Sequence, residues 1–110
     1  MKRLPPSIRQ KKRYVRFNIH SESNFDLGEV VDCFWDAVID FSGVQGSSKI
    51  DPWIIGNTFD ETKQEGVVKV RRSEVESFRA AITLVENIGG EDAFVEVIQV
   101  SGSLDKVKRS

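Results

Sequence analysis

A single cysteine, Cys33, leaves the 110-residue chain without the means to form an intrachain disulfide. Histidine is as scarce: His20 stands alone, and no serine, cysteine or aspartate has a base partner near it in the sequence. That shortage argues against nucleophilic or acid–base catalysis by this chain. Long hydrophobic runs are missing too. No stretch of about 18 apolar residues and no hydrophobic signal segment is present, which predicts a soluble, cytoplasmic protein with no membrane partner. Acidic residues are absent from the first 16 positions, where Lys2, Arg3, Arg9, Lys11, Lys12, Arg13 and Arg16 stand. Only three prolines occur, and two of them, Pro5 and Pro6, keep that basic stretch from forming a helix.

What is present suffices for one folded domain. The apolar share is 39 % with eight glycines, and the length suits one hydrophobic core. The net charge of −1 conceals an asymmetry. A basic arm opens the chain, and Lys106, Lys108 and Arg109 close it against one acid, Asp105. The residues between are strongly acidic. A basic arm on an acidic body points to nucleic acid, a membrane surface or an acidic partner.

Patterning gives six elements. Val15, Phe17 and Ile19 alternate with Arg16 and Asn18, which predicts a half-buried strand over Arg13–Ser21. Leu27, Val30, Val31, Phe34, Val38 and Phe41 share a helical face and predict a helix over Asp26–Phe41, opened by an Asp26–Glu29 capping box. Trp35 and Ile39 widen that face, and Glu29, Asp32, Asp36 and Asp40 line the other. The carboxylates span too many turns to converge on a metal ion. Gly43, Gly46, Ser47 and Ser48 read as a loop. Strand two follows over Pro52–Phe59, then a polar connection, then strand three over Val67–Arg72. Ser73-Glu74-Val75-Glu76 reads as a capping box that starts helix two, whose core face is Val75, Phe78, Ala81, Ile82 and Val85. Asn87-Ile88-Gly89-Gly90 reads as its stop. Strand four covers Ala93–Val100.

The order β-α-β-β-α-β predicts an α+β, ferredoxin-like domain over residues 13–101. It is of the RNA-recognition-motif type, with an antiparallel sheet in the order 4-1-3-2 and both helices on one face. Residues 1–12 are the basic arm and 102–110 the basic tail. In this topology strand one starts where strands three and four end. Arg9, Lys11, Lys12, Arg13 and Arg16, then Arg71 and Arg72, then Lys106, Lys108 and Arg109 therefore form one candidate RNA-binding end. An RNA-recognition motif also places aromatics on strands one and three for base stacking. Here strand one offers Tyr14 and strand three offers Val67, Lys69 and Arg71, so the expectation is contact with phosphates rather than bases.

The wording of the sequence adds a family. Leu4-Pro5-Pro6-Ser7-Ile8-Arg9 and Lys11-Lys12-Arg13-Tyr14 resemble the opening of the archaeal ribonuclease P protein component 2 family. The resemblance continues through Trp53-Ile54-Ile55, Phe59-Asp60-Glu61-Thr62, Gly66, Phe78-Arg79-Ala80-Ala81-Ile82 and Val100-Ser101-Gly102-Ser103-Leu104. It implies a non-catalytic subunit of an RNA enzyme that removes the 5′ leader from precursor tRNA. Magnesium would serve the RNA, and the protein itself would need no cofactor. Implied partners are the ribonuclease P RNA, precursor tRNA indirectly, and protein component 3. An apolar, exposed edge on strand four leaves room for homodimerisation as well. Asp105 departs from the basic tail expected of the family. The alternatives are a generic RNA-recognition-type or ribosomal protein, and a small ferredoxin-like enzyme or ligand-binding module.

Overall fold

A computed structural model describes residues 11–108; Met1–Gln10, most of the expected arm, lie outside that range. Strand β1 covers Lys12–His20 and helix α1 Leu27–Ile50. Strands β2 (Trp53–Ile54) and β3 (Glu65–Arg71) precede helix α2 (Val75–Thr83). A short hairpin, β4 (Asn87–Ile88) and β5 (Glu91–Asp92), leads into strand β6 (Phe94–Ser101) and helix α3 (Leu104–Lys108). The main sheet is antiparallel in the order β2-β3-β1-β6. With the hairpin set aside, this is the expected order, β6 being the fourth strand.

The core lies between that sheet and α1 with α2. Val15, Phe17 and Ile19 of β1 and Val68 and Val70 of β3 are buried, facing Val30, Phe34 and Val38 of α1 and Phe78, Ala81 and Ile82 of α2. Phe34 joins the layers, its ring edge-on to Phe17 at 4.9 Å and to Phe78 at 5.9 Å. The capping box opens α1 as expected: Asp26 accepts from the Glu29 N–H, and Glu29 accepts from the Asp26 N–H.

Several elements depart from the sequence reading. The chain does not loop out after Phe41. It breaks helical geometry at Gly43 (φ 75°) and then resumes a helix as far as Ile50. Ile50 and Ser47 are buried, so this second segment is held by packing rather than by propensity. Phe41, expected in the core, is 44 % exposed. Strand two stops early, although Ile55 still donates its N–H to the Val67 carbonyl. A tight turn at Gly56–Thr58 then shifts the chain out of strand phase. Phe59 therefore packs on Phe17 instead of following Trp53 to the other face.

No capping box starts α2. The chain makes a tight turn over Arg72–Glu74, and Glu74 caps without a side-chain bond. Gly89 and Gly90 do not stop α2, which ends at Thr83. Both have positive φ and form the two-residue turn of the β4–β5 hairpin, a conformation glycine adopts without penalty.

The last departure concerns the tail. Residues 104–108 are not a free extension but helix α3, packed over β1 and β6. Val107 is fully buried, beside Arg16 and Val67 of the face that α1 and α2 leave open. The helices therefore do not all lie on one face.

Candidate nucleic-acid interface

β1 carries the candidate site because its two faces differ. Val15, Phe17 and Ile19 point into the core, so Lys12, Tyr14, Arg16 and Asn18 point out of the opposite face. The same alternation in β3 buries Val68 and Val70 and turns Lys69 and Arg71 outward. Register sets the neighbours: Lys12 stands opposite Arg71, Tyr14 opposite Lys69, and Arg16 opposite Val67. Paired side chains of this kind begin roughly 5 Å apart at Cβ. Past the strand ends, the Arg72 N–H donates to the Lys11 carbonyl at 2.8 Å, so these two exposed residues also adjoin.

Lys11, Lys12, Arg71 and Arg72 thus come together at one end of the sheet, as the topology predicted. Arg13 lies beside them. Its guanidinium donates to the Lys12 carbonyl and rests against Gly102, just past β6, where a Cβ would come within 3.3 Å of it. Among the described residues, no carboxylate pairs with Lys11, Lys12, Lys69, Arg71 or Arg72. Clustered like charges without a neutralising group favour a bound polyanion.

The other predicted cations are placed differently. Arg16 sits two rows further in, with its Nη2 2.6 Å from Glu65 Oε1 and both side chains mostly buried. An internal carboxylate therefore already engages it. Lys106 is exposed on α3, which turns back over the sheet instead of continuing the basic end, and Lys108 closes that helix. Arg9 and Arg109 lie outside the described residues.

Acidic residues cluster on other parts of the surface. Asn18 stands beside Glu65 and Glu96, Asp60 and Glu61 open the turn before β3, and Glu91 and Asp92 form β5. Glu29, Asp32, Asp36 and Asp40 are exposed along α1. A cluster of cations thus stands at the starting end of β1, while Lys49, Lys63, Arg79 and Lys106 lie apart from it.

Trp53 and Lys69 also belong to this face, though neither was among the expected contact residues. Trp53 stands opposite Lys69, which stands opposite Tyr14. This cross-strand row lies next to the Lys12–Arg71 row. The sequence search for aromatics stopped at strands one and three. The signal was in the pair Trp53-Ile54, where Ile54 packs against the core and Trp53 must therefore point out.

His20 and Cys33 lie in different parts of the domain. His20 Nε2 is 2.8 Å from Glu96 Oε1, and its ring stacks on Phe94 at 4.6 Å. Cys33 lies in the groove between α1 and α2, with Ala37, Phe41, Ala81 and Leu84. Burial pushes its thiol up to about 11, and the Asp36 carboxylate adds to the rise. Below about pH 8 Cys33 should carry about a hundredfold less thiolate than an ordinary cysteine. Alkylation by iodoacetamide at pH 8 should accordingly be at least tenfold slower for folded protein than for urea-unfolded protein. Equal rates would show that the thiol is neither shielded nor shifted. Among the described residues, no three of His, Cys, Asp and Glu gather where they could hold a metal ion. No helix among them is long and apolar enough to cross a membrane.

The family model described as the Rpp14/Pop5 family matches residues 13–110. A relative from Pyrococcus furiosus, named ribonuclease P protein component 2, is 39 % identical over 108 residues, covering 98 % of this chain and 88 % of its own length. The protein of the same name from Thermococcus gammatolerans is 43 % identical over 108 residues, with the same coverage. A chain in a cryo-EM structure of yeast ribonuclease MRP shares the fold, with a TM-score of 0.71 at 14 % identity over 91 % of this chain and 85 % of that one. A family model spanning both the sheet and the helices, joined to near full-length relatives, places this chain in the Rpp14/Pop5 family.

Proposed function

We propose that this chain is a protein subunit of ribonuclease P, the endoribonuclease complex that removes the 5′ leader from precursor tRNA. In this reading the RNA and its magnesium ions perform the cleavage, and the chain supports that RNA without catalysing anything itself. Membership in the Rpp14/Pop5 family and the names of the near full-length relatives support the assignment. One structural observation supports how it acts: the pairing of Lys12 with Arg71 assembles an unneutralised basic end from two distant parts of the sequence. Cations of this kind neutralise phosphates and read no sequence, which suits a structured RNA whose identity is set by its own shape.

A protein partner belongs to the same proposal. β6 is an edge strand of the main sheet, and Phe94 and Ile98 on it are 57 % and 42 % exposed. An apolar edge with unpaired backbone groups invites an incoming chain. Component 3 is the expected occupant, with a second copy of this chain as the other. The cytoplasm is the expected compartment.

Affinity purification of the tagged chain from its native source tests the whole reading. It should recover one abundant RNA and component 3, and the recovered particle should shorten precursor tRNA at its 5′ end in magnesium. The pure chain alone should leave precursor tRNA intact. Recovery of ribosomal RNA instead would assign the protein to the ribosome. Cleavage by the pure chain, abolished by His20→Ala in a variant that still folds, would overturn the non-catalytic role.

A further inference from the structure

Trp53 is 65 % exposed, and nothing among the described residues covers its indole. Its neighbours are polar and basic. Lys69 stands directly across from it, Tyr14 stands across from Lys69, and the next row is Lys12 and Arg71. We propose that Trp53, Lys69 and Tyr14 form a stacking subsite for an unpaired RNA base, whose flanking phosphates rest on Lys12 and Arg71. The inference rests on the RNA-binding reading above and adds what phosphate contact alone lacks, namely a preference for single strand.

Three physical points carry it. First, the row faces outward, because the alternation that packs Val15, Val68 and Ile54 against the core fixes its direction. A flat aromatic with cations beside it is the arrangement that takes a base on its face and the base's phosphates at its side. Second, the subsite is bounded. Helix α3 covers the next row inward, where Val107 is buried against Arg16 and Val67. The open strip therefore ends at the Trp53–Tyr14 row, room for one or two bases and not for a long tract. Third, the surroundings select the occupant. Lys12, Lys69 and Arg71 have no carboxylate partner among the described residues, so uncompensated positive charge stands on the sheet side of the indole. That charge repels basic surfaces, and an apolar surface laid over the tryptophan would have to desolvate the cations beside it. A duplex cannot use the indole, because its bases already stack on each other.

The test uses the full chain in a Trp35→Phe background. Trp35 is the other of two tryptophans, so Trp53 becomes the only indole emitter. A short single-stranded oligoadenylate is titrated in at low salt, beside an RNA duplex of equal charge. The oligoadenylate should quench the emission and the duplex should not. Trp53→Ala should weaken oligoadenylate binding about tenfold, Trp53→Phe should recover most of that loss, and the salt dependence should stay unchanged because the phosphate contacts remain.

Unquenched emission with unaltered affinity in Trp53→Ala would overturn the stacking subsite. If removing Lys12 and Arg71 still weakened binding in that case, the phosphate reading would stand. Failure of wild-type protein to bind either the oligoadenylate or the co-purified RNA would instead overturn the function proposed above. An emission change caused by component 3 and not by RNA would assign this face to a protein and sink the inference.

Discussion

Replacing Phe34 by alanine should cost about 3–5 kcal/mol of unfolding free energy, measured by urea denaturation. Phe34 is fully buried and is the one ring that touches both Phe17 of β1 and Phe78 of α2. Its removal loses the transfer energy of a whole ring and leaves a cavity between α1, the sheet and α2. Two edge-to-face contacts go as well, and such pairs contribute about 0.5–1.5 kcal/mol each beyond burial. A domain of this size has about 5–15 kcal/mol in total, so the variant should be close to unfolding at 37 °C. Phe34→Leu keeps most of the volume and should cost markedly less. Phe41→Ala is the informative comparison. Phe41 shares the periodic stripe of Phe34 in the sequence, yet it stands open at the groove between α1 and α2, so its loss should cost about 0.5 kcal/mol or less. Equal costs for the two would mean that Phe41 is covered, and that the break at Gly43 does not release it from the core.

That pair shows where the sequence was legible and where it was not. Val15, Phe17 and Ile19 announced β1 because alternation over a half-buried strand has one physical explanation. The sheet order followed from the order of the elements. The end of α1 was harder, since a 3.6-residue period shows which residues share a face but not how far the neighbouring layer extends. Ser47 and Ser48 looked like loop because propensity favours turns there. Burial of Ile50 outweighed propensity, and nothing local in the sequence signals it. Gly89-Gly90 was ambiguous in the same way: a helix stop and a hairpin tip both need positive φ, and the pairing of Asn87 with Asp92 decides between them.

The candidate site was legible to the extent that it depends on topology. Lys11, Lys12, Arg71 and Arg72 meet because strand one starts where strand three ends. The Arg16–Glu65 pair was not legible because charge alone does not show a partner, and Glu65 lies far along the chain. The tail was misread for a related reason. Its basic residues suggested solvent, whereas Val107 and its burial against the sheet determine where α3 goes. Trp53 required the register of a two-residue strand, which composition could not supply.

Substituting Lys11, Lys12, Arg71 and Arg72 together by alanine should produce the largest functional change. Each phosphate contact adds about 0.7–0.9 to the slope of log affinity against log salt. If all four touch the co-purified RNA, the slope should flatten by about three units. Affinity near physiological salt should then fall by orders of magnitude, because binding through counterion release weakens steeply as contacts are lost. The fold should survive. Lys11 and Arg72 are exposed at the strand ends, Lys12 and Arg71 face away from the core, and removing their mutual repulsion costs nothing. Arg13 stays in place because it lies against Gly102 and its loss would confuse stability with binding. Replacing Asp32, Asp36 and Asp40 by asparagine is the control. Those carboxylates line α1 on the far side of the sheet, so binding should hold or strengthen slightly. Arg16→Ala should change the slope little, since Glu65 already holds that guanidinium. An unchanged slope in the fourfold variant, with lost affinity in the asparagine variant, would move the RNA from the basic end of the sheet to the helical face.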